Sequence, residues 1–417
     1  MRRSSRDPNP VVIAPNPTPV SNHTAQIASP QITAHSSGKT RVILVRHGRS
    51  SFNEQGRYQG SSNESVLTEK GRQTAQQTAQ FLKEMAIDAI YASPLNRVKQ
   101  TVYEMINATG DIWTNKSIQL VDDLREIEMY HWEGRPFQQV REQYPDDYQC
   151  WKERPHEFKM APSDESQVFP VLDLYQRAQT FWQKILPQHL GQTLLIVSHG
   201  GTNHALLNTA LGITAEHHHT IQQSNCGVSI LEFEPQHPLA QLQAINLTQH
   251  LGETLPKVKE GKQGLRLILV PTPTGEAEVT AIAQALQSVA IDFSLNITGE
   301  PSSAMMQQIL HTHPSTVQFQ TRREDFAQAW QRSIAHQRQR LSLEMMTGLV
   351  ITNSTNLIWL ITQALQHRVD PMTNNNLLDR IHLQPGTFSV LHYPSAVHPP
   401  ILQALNFGLR VGVESKK

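Results

Sequence analysis

The sequence predicts an α/β protein in which a parallel sheet carries helices on both faces, followed by a shorter, degenerate copy of the same arrangement. Two observations predict the first unit. Short apolar strands alternate with longer amphipathic helices, and some of the strands are continuous apolar runs, as in strands buried on both faces. One observation predicts the copy: the strand pattern restarts near residue 265 in the same order.

The first unit is expected over residues 41–250. Apolar β-branched runs predict its strands, and helical spacing of apolar residues predicts its helices. The predicted strands are 42–45, 90–92 and 193–197, and the predicted helices are 67–84 with a Thr68 cap, 136–152 and 172–185.

The second unit, residues 265–417, repeats four segments of the first after a polar linker at 251–264. RLILV at 266–270 resembles RVILV at 41–45, and IDFSL at 291–295 resembles IDAIY at 87–91. GLVITNSTNLIWLITQAL at 348–365 resembles TLLIVSHGGTNHALLNTAL at 193–211, and GTFSVLHYP at 386–394 resembles CGVSILEFEP at 226–235. Repetition in the same order favours duplication over two unrelated α/β domains. Thr272 stands in place of His47 and Asn353 in place of His199, so the second unit is expected to form a structural or dimer-like interface without turnover of its own.

Composition excludes several function classes. Lys+Arg and Asp+Glu balance at 36 each in 417 residues, which argues against a nucleic-acid surface or a polybasic membrane anchor. No apolar run is long enough to span a membrane. The two cysteines, Cys150 and Cys226, lie far apart, which fits a reducing compartment and excludes a cysteine-built metal site.

Residues 1–40 are rich in Pro, Ser and Thr and are expected to be a disordered tail. A cytoplasmic location is expected. The basic, Ser-rich start MRRSSRD resembles an organelle transit peptide, so the plastid stroma is the alternative.

Two predicted strands of the first unit end in the same way, with a histidine followed by a glycine. One ends in Arg46-His47-Gly48 and the other in His199-Gly200. Ligands of open α/β sheets bind beyond the carboxyl ends of the strands, so both imidazoles are expected in one pocket. A phosphoryl group suits them, because imidazole is a competent nucleophile near neutral pH and a cationic neighbour can hold the oxygens.

The motifs around these strand ends resemble those of the histidine phosphatase superfamily, which includes the phosphoglycerate mutases. RHGRSSFN matches the pattern R-H-G-x-S/T-x-x-N, and YQG, LTEKG, SPLNRVKQT, LREIEMYHWEG and VSHGGTNHALL follow it between residues 58 and 207. The resemblance covers residues 41–235 and implies a three-layer α/β/α sandwich of the phosphoglycerate mutase-like type.

The resemblance also implies the roles of individual residues. His47 becomes the nucleophile, Arg46 and Arg97 grip the phosphoryl oxygens, His199 completes the pocket, and Glu126 is the general acid. Glu128 and Glu133 lie nearby, but Glu126 has the motif position. No metal and no cofactor are implied. Substrate binding is assigned to Asn53, Gly48, Gly200, Gln59, Gly60 and Arg57.

Net hydrolysis is favoured over mutase activity, because the Glu-Arg-His-Tyr-Gly element of cofactor-dependent mutases is replaced by EIEMYHWEG. The two-unit layout is similar to proteins of photosynthetic organisms that act on an anionic sugar-acid phosphate. The expected substrate is therefore a small phosphorylated metabolite such as 2-carboxy-D-arabinitol 1-phosphate, with Lys152, Arg154 and His156 as further basic candidates. These three could equally form a solvated charge cluster. The alternatives are phosphoserine or another small metabolite, mutase activity, or a regulatory binding protein acting through the second unit.

Two further features are interpreted as structural. The run from His217 to His219 looks like a metal site but has no partner cysteine or carboxylate pattern, so an exposed helix start is expected. Cys226 is expected to be a buried small apolar residue. The oligomeric state is left open.

Overall fold

The computed structural model describes residues 31–32, 38–162, 166–259, 261, 263–272, 275–297, 302–322, 325–328, 330, 332, 344–365, 377–395 and 398–411. The predicted disordered tail lies mostly outside these residues. Its described part includes a short strand, Gln31–Ile32, that pairs in parallel with Arg410–Val411. No helix in the described part of the chain is both long and apolar enough to cross a membrane.

The first unit contains six strands and eight α-helices in its described residues, and the short strand β1 of the tail precedes them. The strands are β1 Gln31–Ile32, β2 Thr40–Arg46, β3 Ala89–Ala92, β4 Ile118–Leu120, β5 Thr193–Ser198, β6 Val228–Phe233 and β7 Ala240–Leu247. The helices are α1 Ser51–Gln55, α2 Glu69–Leu82, α3 Asn96–Thr109, α4 Asp111–Thr114, α5 Phe137–Gln143, α6 Pro145–Glu153, α7 Pro170–Ile185 and α8 Gly200–Leu211.

The second unit repeats this order with fewer elements. Its strands and helices are β8 Gly264–Thr272, α9 Glu276–Leu286, β9 Phe293–Ile297, α10 Ser302–Leu310, β10 Val317–Thr321, β11 Met345–Asn353, α11 Ser354–Leu365, β12 Phe388–Tyr393, β13 Ile401–Phe407 and β14 Arg410–Val411.

Twelve strands form one sheet whose order reads the same from both ends. The order is β4-β3-β5-β2-β6-β7-β13-β12-β8-β11-β9-β10, so each strand of the first unit has its counterpart at the mirrored position. β2 to β5 are mutually parallel as predicted, whereas β6 and β7 run antiparallel. In the first unit the last paired residues are Arg46 and Ser198, and His47 and His199 directly follow them. In the second unit Thr272 pairs with Asn353. Thr272 and Asn353 therefore occupy the positions of His47 and His199.

Helices cover both faces of the sheet because successive strand residues point to opposite sides. In β2, Ile43 and Val45 pack in the cluster that contains residues of α2 and α3. Val42 and Leu44 pack on the other face in the cluster that contains residues of α7 and α8. This second cluster also takes in Leu357 of α11, so one apolar core runs under both units.

The helix ends follow local sequence signals. α2 begins after Thr68, whose hydroxyl accepts the Gly71 N–H at 3.1 Å, as predicted. The single helix predicted over 136–152 is wrong: α5 ends before Tyr144 and α6 restarts at Pro145. Proline has no N–H to continue a helix and disfavours the helical conformation of the residue before it.

The two units meet through a symmetric pair of asparagines on β7 and β13. Asn246 and Asn406 are buried, and both have positive φ, at 51° and 55°. Asn246 Nδ2 donates to the Gln403 carbonyl at 2.7 Å, and Asn406 Nδ2 donates to the Gln243 carbonyl at 2.7 Å. Each residue of the pair thus satisfies a backbone carbonyl of the opposite unit, which is the geometry of a self-complementary dimer interface.

Replacing Asn406 by alanine should destabilise the protein by about 2–4 kcal/mol, because the Gln243 and His382 carbonyls lose their buried donor and alanine is strained at positive φ. The measurement is the free energy of unfolding in urea. Asn115→Ala, at an exposed position, should change this free energy by less than about 0.5 kcal/mol. Equal stability of the two variants would contradict the role assigned to the asparagine pair.

Candidate functional site

Two histidines lie side by side at the carboxyl edge of the sheet. β2 and β5 are adjacent parallel strands, and His47 and His199 each follow directly after their last residue. The ring centroids are 5.4 Å apart and the ring planes meet at 64°. The structure therefore brings both imidazoles together, as the sequence predicted.

His47 is held in one tautomer by a backbone contact. Its Nδ1 lies 2.7 Å from the Gly48 carbonyl oxygen, which can only accept, so Nδ1 carries the proton and Nε2 keeps a lone pair. The side chain is buried, and burial together with the nearby Arg97 and Arg46 holds the pKa of His47 well below its usual value. The imidazole is therefore neutral at pH 7, as a nucleophile requires.

Two guanidinium groups surround His47 without a carboxylate partner. Arg97 is fully buried and donates to the carbonyls of Ser62 and Gly60, both at 2.7 Å. Burial lowers the pKa of Arg97 to about 10, which leaves it charged at pH 7. Arg46 donates to the Gln223 carbonyl at 2.8 Å. Neither arginine forms an ion pair within the described ranges, so their charge is available to an anion.

His199 lies beside His47 at the end of β5. It is fully buried, and its Nε2 lies 2.7 Å from the Ser93 hydroxyl oxygen. Its Nδ1 has no hydrogen-bond partner among the residues that the structure describes. Burial and the charge of Arg97 hold the pKa of His199 well below its usual value, so this imidazole is neutral in the structure. A phosphoryl dianion beside it favours the imidazolium form.

Glu126 sits at the amino end of α8. Its carboxylate accepts the N–H groups of Gly201 at 3.1 Å and Thr202 at 3.0 Å, so donors at the positive end of a helix fix its position. A Cβ at position 201 would lie 2.6 Å from Glu126 Oε1, so the glycine leaves room for this carboxylate to approach the backbone. The two alternative acids, Glu128 and Glu133, contact Ser61 instead and do not line the cleft that Glu126 lines.

The residues predicted to bind substrate divide into two groups. Those that line the cleft next to Arg46 and Glu126 are Asn53, Arg57, Gln59, Gly60 and Gly200. Gly48 is the exception: its N–H, predicted to approach a ligand, donates to Thr101 Oγ1 at 3.0 Å. Glycine is required at 48 for a different reason, since a Cβ would lie 2.5 Å from the Gly71 carbonyl oxygen.

Asn225 is a site residue that sequence reasoning missed. Its Nδ2 donates to the His47 carbonyl at 2.9 Å and to Asn53 Oδ1 at 3.1 Å, so it ties the nucleophile's backbone to a predicted binding residue. The neighbouring Cys226 is buried at positive φ, and burial raises the pKa of its thiol to about 11. The prediction that Cys226 is buried is confirmed.

The cleft has a volume of about 540 Å³ and a basic outer wall. Lys152 lines it as predicted, whereas Arg154 and His156 contact Glu157 instead, at 2.8 and 3.6 Å. The cleft wall also includes residues that were not predicted from sequence: Arg141 on α5, Lys259 from the linker and Ile401 from the second unit. No local pattern marks these residues, because only the folded chain brings them to this wall.

The prediction that His217 to His219 form an exposed helix start is wrong. His218 is 1% exposed, and His219 Nε2 lies 2.8 Å from the Trp151 carbonyl oxygen. The segment packs against Trp151, whose ring centroid is 5.7 Å from that of His218. Burial lowers the pKa of His218 to about 3. His204 on α8 lies beside it and lines the same cleft.

Buried histidines should make the protein less stable at acid pH. The pKa of His218 falls to about 3 and that of His250 to about 4, against about 6.5 unfolded. The unfolded chain therefore binds more protons below pH 6.5, and stability present above that pH is lost as pH falls toward the folded values. At pH 5 the loss is roughly 2 kcal/mol for each residue.

The measurement is the urea unfolding midpoint at pH 7 and pH 5, with His250→Gln expected to reduce the difference. A midpoint that does not change between these pH values would contradict the prediction.

Comparison with known proteins matches this site to one family. The family model of the histidine phosphatase superfamily (branch 1) matches residues 42–246. A probable 2-carboxy-D-arabinitol-1-phosphatase of Arabidopsis thaliana is 34% identical over 276 residues, which are 65% of this chain and 54% of that protein. The 2-carboxy-D-arabinitol-1-phosphatase of Triticum aestivum is 37% identical over 236 residues, which are 55% of this chain and 45% of that protein.

The chain spans about half the length of these two relatives. Phosphoserine phosphatase 1 of Hydrogenobacter thermophilus is 31% identical over 215 residues, which are 51% of this chain but 95% of that protein. The matched region contains both strand-end histidines and the residues around them. With this family model, and with a relative at 31% identity of which the chain covers 95%, the chain belongs to the histidine phosphatase superfamily.

Proposed function

We propose that this protein is a phosphoric monoester hydrolase that passes the phosphoryl group through His47. The observation that carries the proposal is the orientation of this ring: Nδ1 donates to the Gly48 carbonyl, which leaves the Nε2 lone pair for attack. Arg46 and Arg97 supply the positive charge for the phosphoryl oxygens.

In the first step, Nε2 of His47 attacks phosphorus and the bond to the ester oxygen breaks. The departing alkoxide takes a proton from the Glu126 carboxyl group, and phosphohistidine remains. In the second step, Glu126 takes a proton from water, the resulting hydroxide attacks phosphorus, and the P–N bond breaks to release inorganic phosphate. His199 and the two arginines stabilise the charge on the phosphoryl oxygens in both steps.

The chemical step is proposed to need no metal on the phosphoryl group. In other phosphoryl-transfer enzymes a divalent cation neutralises the oxygens. Here Arg46 and Arg97 are expected to supply that charge, because their hydrogen bonds among the described residues go to backbone carbonyls and leave the charge to an anion.

The proposed substrate is a small anionic sugar-acid phosphate such as 2-carboxy-D-arabinitol 1-phosphate. Two relatives carry this substrate in their names. The cleft offers Arg57, Lys152 and Lys259 beyond the phosphoryl pocket, and this charge suits a substrate with a carboxylate at a distance from its phosphate. Phosphoserine, named in another relative, is the second candidate, because it also combines a phosphate with a carboxylate.

Mutase activity is the weaker alternative. A mutase must hold a second phosphate near the acid, and that requires extra basic residues. The segment after Glu126 instead places Glu128 and Glu133 against Ser61, which adds negative charge there. A purely regulatory role for the first unit is disfavoured by the assembled nucleophile, acid and guanidinium groups.

A substrate panel tests the assignment. We expect kcat/KM for 2-carboxy-D-arabinitol 1-phosphate to exceed that for phosphoserine by at least about tenfold. Lys152→Gln should raise KM for the sugar acid but not for p-nitrophenyl phosphate, and Arg154→Gln, outside the cleft, should leave both unchanged. Faster turnover of phosphoserine would reject the sugar-acid substrate, and formation of 2-phosphoglycerate from 3-phosphoglycerate would favour a mutase.

A further inference from the structure

Three histidines from two separate segments meet on one wall of the cleft. His204 lies one turn after Gly200 on α8, and His218 and His219 come from the segment between α8 and β6. The ring centroids of His204 and His218 are 5.1 Å apart, and those of His218 and His219 are 4.9 Å apart. The proposed hydrolysis uses none of these three side chains.

The spacing of their ring nitrogens is close to that of a metal site. Each residue offers one nitrogen, and the three nitrogens lie within 4.8 Å of one another. Three ligands of a tetrahedral zinc ion with Zn–N bonds of about 2.0–2.1 Å are about 3.3 Å apart. On metal binding, side-chain rotations would have to bring the nitrogens closer by up to about 1.5 Å. The rings meet edge to face, at 72°, 83° and 89°, so they converge instead of stacking.

The orientation of the rings directs lone pairs toward the cluster. His219 Nε2 donates to the Trp151 carbonyl at 2.8 Å, so its Nδ1 is the unprotonated nitrogen. A metal-binding histidine commonly donates its other ring nitrogen to a carbonyl or carboxylate in this way. Both ring nitrogens of His204 and of His218 are shielded from solvent, yet they have no hydrogen-bond partner in the part of the chain that the structure describes. Such buried polar atoms are costly unless a ligand satisfies them.

We propose that His204, His218 and His219 bind a transition-metal dication of the zinc class, with a fourth coordination position facing the cleft. Imidazole nitrogen suits Zn²⁺ and Co²⁺, whereas Mg²⁺ and Ca²⁺ take oxygen ligands. Lys152 and Lys259 line the same cleft and repel a cation. An anionic fourth ligand is therefore favoured, and the affinity is lower than that of a site that includes a carboxylate.

Cobalt titration of the full-length, tag-free protein tests the site. Tetrahedral Co²⁺ gives strong visible absorption, and we expect such a spectrum with one ion bound per chain and displaced by Zn²⁺. Substitution of His204 or His218 by alanine should weaken binding by more than the roughly 10–100-fold that loss of an outer-sphere partner costs. His217→Ala is the matched control, because His217 contacts Thr214 and lies outside the cluster, and its affinity should equal that of the wild type.

The proposed metal site and the proposed hydrolase activity can be tested independently. His47→Ala should bind cobalt as the wild type does, so an inactive enzyme with intact metal binding would leave the proposal standing. Cobalt binding of equal strength in the wild type and in His204→Ala would overturn the proposal. A weak six-coordinate spectrum alone would also overturn it, since it would mean adventitious binding elsewhere. His204 is half-buried, so its variant carries the test if His218→Ala does not fold, as judged by circular dichroism.

Discussion

Replacing His47 by alanine should reduce kcat by about 10⁴-fold or more for every phosphate ester, which is the scale on which loss of a covalent nucleophile acts. The variant loses the ring whose Nδ1 is fixed by the Gly48 carbonyl and whose Nε2 therefore keeps a lone pair beside Arg46 and Arg97. Rapid quenching of the wild type with a ³²P-labelled ester should trap an acid-labile, base-stable label on the protein. The same experiment with His47→Ala should trap none.

His237→Ala is the matched control, because His237 is an exposed histidine that contacts only its own loop among the described residues. It should retain wild-type turnover. Undiminished hydrolysis by His47→Ala, or a phosphohistidine that forms without His47, would remove the mechanism while leaving the fold assignment intact.

The proposed site at the strand ends could be predicted from sequence because its two histidines directly follow the strands that position them. His47 and His199 follow β2 and β5 directly, so a strand prediction and a rule about carboxyl edges were enough to join them. The duplication could be predicted for the same reason, since Thr272 and Asn353 occupy the strand-end positions that correspond to His47 and His199.

Other residues of the cleft wall could not be predicted, because their positions depend on packing between segments that are distant in sequence. Lys259 enters from the linker and Ile401 from the second unit, and neither carries a local pattern. The partner of His218 is His204, which the helical spacing of α8 gave no reason to single out. Gly48 was assigned the wrong role because a close backbone approach can be to a neighbouring strand or helix as well as to a ligand.

The second unit has a physical role that does not require turnover. Without it, β7 would be the edge strand of the sheet, with unpaired backbone groups that favour aggregation. β13 covers this edge, and the pair Asn246 and Asn406 fixes how the two strands meet. Because Ile401 at the start of β13 also lines the cleft, the unit that covers the edge shapes the site as well. If the second unit serves only as an interface to the first unit, we expect its strands to be retained and its strand-end histidines to be lost.

Replacing Glu126 by glutamine should affect the two chemical steps differently. For an alkyl ester such as a sugar phosphate, the leaving alkoxide needs a proton, so loss of the acid should lower kcat by about 10²–10⁴-fold. p-Nitrophenolate leaves without protonation, so the first step should remain fast with that ester. The second step still needs Glu126 to activate water. Glu126→Gln should therefore release one nitrophenol per site in a burst and then turn over slowly.

Stopped-flow absorbance measures this burst, and the rival acids provide the control. Glu128→Gln keeps the size of the side chain and removes its charge at a position that contacts Ser61 and does not line the cleft. It should show no burst and near-normal turnover of both esters. A burst in Glu128→Gln would move the water-activating role to Glu128. An equal slowing of the first, ester-cleaving step for alkyl and nitrophenyl esters in Glu126→Gln would mean that Glu126 holds the pocket together without transferring the proton. The carboxylate fixed by Gly201 and Thr202 would then be a positioning group, and the acid would have to come from another wall of the cleft.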